Sequence, residues 1–159
     1  MMDDRMFRNA MGKFTTGVTV VTTKLGEEIH GMTANAFMSV SLNPKLVVVS
    51  VDHKATMKRY ISNSGKFAIS FLKQEQKDLS AYFAGQIEET RDIDFYWFHE
   101  LPTIKGALVN MVCDLQDVID AGDHTLFIGK VTDLVIREGD PLAFYEGKYR
   151  ELGNNERVK

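Results

Sequence analysis

The stretch TANAFMSVSLNP, residues 33–44, decides how this chain is read. Taken as one long strand, it puts Ala34, Ala36, Met38, Val40 and Leu42 on one face. Thr33, Asn35, Phe37, Ser39 and Ser41 fall on the other, because strand side chains alternate sides. The first set is wholly apolar and is expected to hold a core. The second carries small hydrogen-bonding groups around one ring, with no Lys, Glu or Arg to mark a solvated face. Such a surface suits a flat, polar, partly buried ligand. The competing reading is a Ser/Thr-rich strand lying against another polar strand.

Outward from this segment the pattern is that of a β-rich domain. Residues 15–23 (TTGVTVVTT) are β-branched almost throughout and read as a strand, after an amphipathic helix over 6–14 with Phe7, Ala10, Met11 and Phe14 on one side. A hairpin turn at Gly26 leads into residues 29–32. Downstream, LVVVSV (46–51) reads as a strand buried on both faces. Helices follow over 55–63 and 74–84, separated by an alternating strand at 66–72. Residues 86–105 read as a long irregular excursion. Strands over 106–119 and 125–136 are joined by a turn at 120–123, a short strand or turn over 144–149 follows, and the tail from Gly153 reads as loose. Hairpin-joined strands with few, short helices predict a mainly β, antiparallel barrel rather than alternating βαβ units.

Composition narrows the chemistry. The 159 residues fit a single domain spanning 1–159, and a net charge of −3 without a basic cluster gives no electrostatic case for nucleic acid. No apolar run approaches the ~20 residues that cross a bilayer. The first fourteen residues lack the basic and apolar regions of a secretory signal, and the single cysteine excludes an internal disulfide; a cytoplasmic location is expected. Ten Phe and eight Met exceed what a small core needs, and a subunit interface or a ring-binding pocket would use them.

Two further segments carry polar chemistry. In SVDHKAT (50–56) a strand runs into a helix start, where backbone N–H groups attract anions and Lys54 and Thr56 add a charge and a hydroxyl. The alternative is an ordinary cap in which Asp52 or Thr56 bonds the first-turn amides. In GDHTLFIGK (122–130), His124 stands at the mouth of a tight turn, expected across the barrel from Lys54 and Thr56. There it either touches a ligand or is a solvated flank. Cys113 reads as an inert buried thiol, and the four histidines share no metal-ligand spacing, so no metal is expected.

FRNAMGKFTTGVTVVTT (7–23), HGMTANAFMSVSLNP (30–44), LVVVSVDHKAT (46–56), YFAG (82–85), AGDHTLFIGKV (121–131) and the YEGKYREL region (145–152) occur here in that order. Together they resemble the flavin reductase family, NAD(P)H-dependent partners of two-component flavin monooxygenases. The resemblance implies a Greek-key split β-barrel of about six strands, a homodimer with the flavin site at its interface, and a monooxygenase partner. It implies FMN or FAD, with NADH or NADPH as co-substrate. By that pattern Thr33, Ala34, Asn35, Ala36, Phe37, Ser39, Val40 and Ser41 line the flavin ring and ribityl chain. Ser50, His53, Lys54 and Thr56 surround the phosphate, Phe83, Ala84 and Gly85 close one side, and His124 meets the nicotinamide nucleotide. Tyr149 and Arg150 are further nucleotide contacts. The family often has Ser where Ala36 stands, so that one hydrogen bond to the flavin is either missing or supplied by the backbone. Other readings are a flavoprotein that keeps FMN and acts on a small organic substrate, or a flavin- or haem-binding protein without turnover.

Overall fold

A computed structural model describes residues 1–153; the tail from 154 lies outside the described residues. Helix α1 (Asp4–Gly12) starts at Asp3, whose carboxylate accepts from the Met6 amide at 2.7 Å. The predicted strand over 15–23 divides into β1 (Thr16–Gly17) and β2 (Thr19–Leu25). After the Gly26 turn come β3 (Glu28–Ala34), β4 (Phe37–Leu42) and β5 (Lys45–Asp52). Helix α2 (Thr56–Ser64) is followed by β6 (Lys66–Phe71), a single 3-10 turn and α3 (Lys77–Phe83). Then come β7 (Phe95–Phe98), β8 (Leu101–Ile104), β9 (Val109–Ala121), β10 (His124–Ile136), β11 (Ala143–Tyr145) and β12 (Lys148–Arg150).

Seven strands form one antiparallel sheet in the order β3-β2-β6-β9-β10-β5-β4. Its two edge strands, β3 and β4, are consecutive in sequence and joined only by Asn35–Ala36. A sheet whose edges are tied by two residues must curl toward closure, and the mainly β, barrel-like class follows. The core is Val21, Val49, Val51, Phe67, Ile69 and Phe127, with Met57 and Ile61 of α2 plugging it; all eight are inaccessible to solvent. β5 alternates buried and half-buried residues instead of being buried on both faces as expected.

The opening segment is therefore two strands and not one. Phe37 N–H donates to Asn35 C=O at 3.0 Å, a local turn that breaks the extended run. Before the break the even residue Ala34 faces the core; after it the odd residue Phe37 does, packing edge-on against Phe71. A register shift between Ser39 and Ser41 then adds a bulge at Val40. Met38, Val40 and Leu42, expected in the core, are 59%, 45% and 81% exposed.

The excursion over 86–105 is also more ordered than its composition indicated, because β7 and β8 pair as a hairpin. Asn110, wholly buried, pins it: its amide donates to Ile104 C=O (2.9 Å) and Ser70 Oγ (3.0 Å), while Arg137 donates to its carbonyl oxygen.

Candidate functional site

Strand pairing gathers the three polar segments at one end of the sheet. β4 lies against β5 with Phe37 opposite Val49, and β10 lies on the other side of β5 with His124 opposite Asp52 and Leu126 opposite Ser50. Ser50 N–H donates to Ala36 C=O at 3.0 Å, so the strand break sits beside the end of β5. The Gly122–His124 turn is thus a neighbour of residues 50–56 and does not face them across the barrel. The reason is the strand order, in which β10 adds directly to β5.

His53 and His124 are both held by carboxylates. His53 N–H donates to Asp123 C=O at 3.0 Å, and its Nε2 lies 3.4 Å from Asp120 Oδ1. His124 Nδ1 lies 2.7 Å from Asp123 Oδ1, with 40% of its side chain exposed. The His124 hydrogen bond and charge hold the Asp123 carboxyl below the usual carboxylate range. With Nδ1 engaged, Nε2 is the ring nitrogen left to meet a ligand.

The start of α2 decides between the anion seat and the ordinary cap. Its N-cap is Ala55, which has no side chain able to accept, and its first turn contains no acidic residue. Asp52 instead closes the preceding turn: its Oδ1 accepts from Lys54 N–H (2.8 Å) and its C=O from Ala55 N–H (2.9 Å). Thr56 makes no side-chain cap. The first-turn amides thus keep their partial positive charge beside exposed Lys54, His53 and Thr56. That donor set fits a phosphate and disfavours a carboxylate-capped helix.

On the outer face of β3 the geometry assigns tasks that the residue pattern did not reveal. Thr33 Oγ1 donates to Ser80 C=O at 2.6 Å, and the buried Ser80 hydroxyl meets Tyr149 OH at 2.7 Å. Thr33 and Tyr149 therefore clamp α3 between β3 and β12. Arg150 is exposed, its guanidinium 5.8 Å from the Tyr145 ring. The clamp fixes Phe83 and the turn through Ala84 to Gly85, which has φ +73°. Ala34 is buried, and its C=O accepts from Thr19 Oγ1. Asn35, Ala36 and Ser39 remain exposed around the break, Ser41 and Ser50 half-buried beside it.

Gly31 is the residue sequence reasoning missed here. A Cβ at Gly31 would stand 2.5 and 2.6 Å from the Phe83 ring, which explains a glycine inside a strand. Gly31→Ala is expected to push Phe83 and its following turn off β3 and raise the KM for flavin about 10-fold, at near-normal stability. Steady-state titration of flavin checks this; an unchanged KM would show that Phe83 does not border the site.

Other chemistry is sparse. Burial, with a smaller effect of Asp114, pushes the Cys113 thiol up to about 12, leaving it unreactive at neutral pH. Among the described residues, no group of three His, Cys, Asp or Glu is placed to hold a metal.

Comparison with known proteins gives the same direction. The flavin reductase like domain model matches residues 11–153. An NADH-dependent flavin reductase of Rhodococcus sp is 45% identical over 148 residues, 91% of this chain and 84% of that protein. The reductase component of 4-hydroxyphenylacetate 3-monooxygenase from Thermus thermophilus is 38% identical over 147 residues, 92% of this chain and 95% of that protein. A solved structure of flavin reductase PheA2 in its native state superposes with a TM-score of 0.95 at 58% identity, covering 96% of this chain and all of that one. With the matched domain spanning nearly every described residue, this chain belongs to the flavin reductase-like family.

Proposed function

We propose that this protein is an NAD(P)H-dependent flavin reductase that passes hydride from a nicotinamide nucleotide to FMN or FAD and supplies reduced flavin to a monooxygenase. The observation that carries this reading is the register that sets His124 beside Asp52 and Ser50 beside Ala36, uniting polar strand, uncapped helix start and histidine. When bound, flavin supplies the hydride-accepting chemistry, which is intrinsic to the cofactor. The chain's own work is positional. The α2 amides with Lys54 and Thr56 would hold the phosphate, while Asn35, Ser39, Ser41 and nearby backbone would meet the ring edge and ribityl chain. Phe83 to Gly85 would exclude water from one side. His124 would hold the nicotinamide nucleotide in a near-attack pose. Hydride transfer itself requires no proton-transfer dyad, and Asp123 serves to hold the His124 ring.

The same reading makes the whole chain one domain, located in the cytoplasm and acting as a homodimer with the flavin site bordering its interface. Helix α1 buries none of its residues, leaving Met6, Phe7 and Met11 exposed with Phe14 just beyond its end; Met38, Val40 and Leu42 form a second uncovered apolar set. Two such sets of exposed large apolar side chains are what a subunit interface would cover. Sedimentation equilibrium should return twice the 18.0 kDa chain mass; a monomer would remove the dimer from this account.

The decisive assay crosses FMN and FAD with NADH and NADPH under anaerobic conditions, using added flavin in excess. Loss of the visible absorbance of oxidised flavin is expected for at least one pairing. No loss with any pairing overturns the proposal. A protein that retains its flavin through dialysis and ignores free flavin would instead favour a bound-FMN enzyme.

A further inference from the structure

The β7–β8 hairpin packs Phe95 against Phe83 on one side and on the other builds a second cleft. This cleft, of about 660 Å³, is lined by Trp97, His99 and Glu100 of the hairpin together with Lys24, Ser64 and Lys66. Its volume lies within the range of small-molecule sites. Its lysines lie far from His124, although Trp97 connects through Phe95 to Phe83, with ring centroids 6.4 Å apart at each step. Lys66 pairs with Asp114, and Ala121, the partner of His124, lies seven residues farther along β9, roughly 20 Å at strand spacing.

Three features give the cleft a chemical character. Trp97 is 50% exposed, a large aromatic surface left open to solvent, and Lys24 Nζ stands 5.5 Å from its ring centroid. Lys66 has no carboxylate within ion-pair distance among the described residues, and the partner of Lys24, Glu27, is 3.9 Å away with a 98% exposed side chain. The hairpin tip is built against backbone preference. His99 and Glu100 have φ of 45° and 66°, at positions where a two-residue turn ordinarily takes Asn or Gly. The tip is fixed by His99 Nε2 at 2.7 Å from Asp133 Oδ2, while the hairpin base is fixed by buried Asn110. A strained, doubly anchored tip holds Trp97 in place beside the lysines.

We propose that this cleft binds a planar aromatic ring bearing an anionic group, the ring lying against Trp97 and the anion meeting Lys24 and Lys66. No residue of the cleft is among those assigned to the flavin, and Phe95 alone stands between Trp97 and Phe83. Two sources offer this chemistry, a small aromatic carboxylate and a nucleotide, and they separate experimentally.

The chain contains a single tryptophan, so its emission reports on this cleft alone. Flavin-free, full-length protein is titrated with benzoate, with AMP and with neutral benzyl alcohol. Saturable quenching is expected with benzoate or AMP, half-complete at about 1 mM or below; which of the two acts identifies the source. Benzyl alcohol should leave the emission unchanged over that range. The Lys24→Gln/Lys66→Gln double variant should need at least about tenfold more ligand, with flavin reduction at its normal rate confirming the fold. Absence of saturable quenching by both anions, an equal response to benzyl alcohol, or undiminished binding by the double variant would each overturn the proposal.

Discussion

Replacing His124 with alanine is expected to raise the KM for the nicotinamide nucleotide by about 10- to 100-fold, the loss of one charge-assisted hydrogen bond, while the KM for flavin moves by about twofold or less. The asymmetry follows from the geometry. His124 reaches the site from the β9–β10 turn, its ring held through Nδ1 by Asp123 and making no hydrogen bond to the uncapped start of α2 where the phosphate would sit. Asp123→Asn, which retains a hydrogen-bonding oxygen and loses the charge, should show a smaller effect of the same kind. Equal rises in both Michaelis constants would mean that His124 supports the site as a whole. If the protein bound flavin without turnover, His124→Ala would leave flavin affinity intact with no activity to lose.

Gly129→Ala is expected to destabilise the fold by about 2–3 kcal/mol, the upper part of the range for overpacking a filled core. For a chain of this size that lowers the melting temperature by roughly 5–10 °C. Gly129 lies in β10 at a register shift, with its α-carbon facing two buried side chains. An added Cβ would stand 2.6 Å from Phe67 Cζ and 2.9 Å from Cys113 Cβ. Phe67 is inaccessible to solvent and Cys113 nearly so, so neither has space to retreat into. Shortening the opposing ring should recover part of the loss, making Gly129→Ala/Phe67→Leu less than additive. A melting temperature for Gly129→Ala equal to that of the parent would contradict the packing described.

The parts of this fold legible from sequence are those in which one local signal dominates. The β-branched run before Lys24, the apolar set Met57, Tyr60 and Ile61 of α2, and the Gly122 turn all carry that kind of signal. Helical and strand periods rarely mislead there. The segment from Thr33 misled because its alternation is unbroken in letters while the backbone reverses face at Asn35–Ala36. That reversal is imposed by joining the two edges of a seven-stranded sheet, a tertiary demand with no residue-level mark. The β7–β8 hairpin was hidden for a related reason: His99 and Glu100 adopt left-handed conformations without the Gly or Asn that announces a turn.

Within the site, the polar strand, Lys54–Thr56 and His124 were legible because their chemistry is carried by residue type. That Ala55 leaves α2 uncapped became meaningful only once the helix start was placed. The supporting residues, Gly31, Ser80 and Asp120, were not legible, since each acts through a neighbour distant in sequence. Thr33 and Tyr149 were expected as ligand contacts and are found holding α3 from opposite sides.

A crystal structure of the protein with FMN would show whether one end of the sheet, where β4, β5 and β10 meet, is a flavin seat. The phosphate is predicted against the first-turn amides of α2 beside Lys54 and Thr56, with the ring edge along Asn35 to Ser39 and His124 within reach of the exposed ring face. An FMN phosphate bound elsewhere, with the α2 amides facing solvent or a carboxylate, would contradict the account.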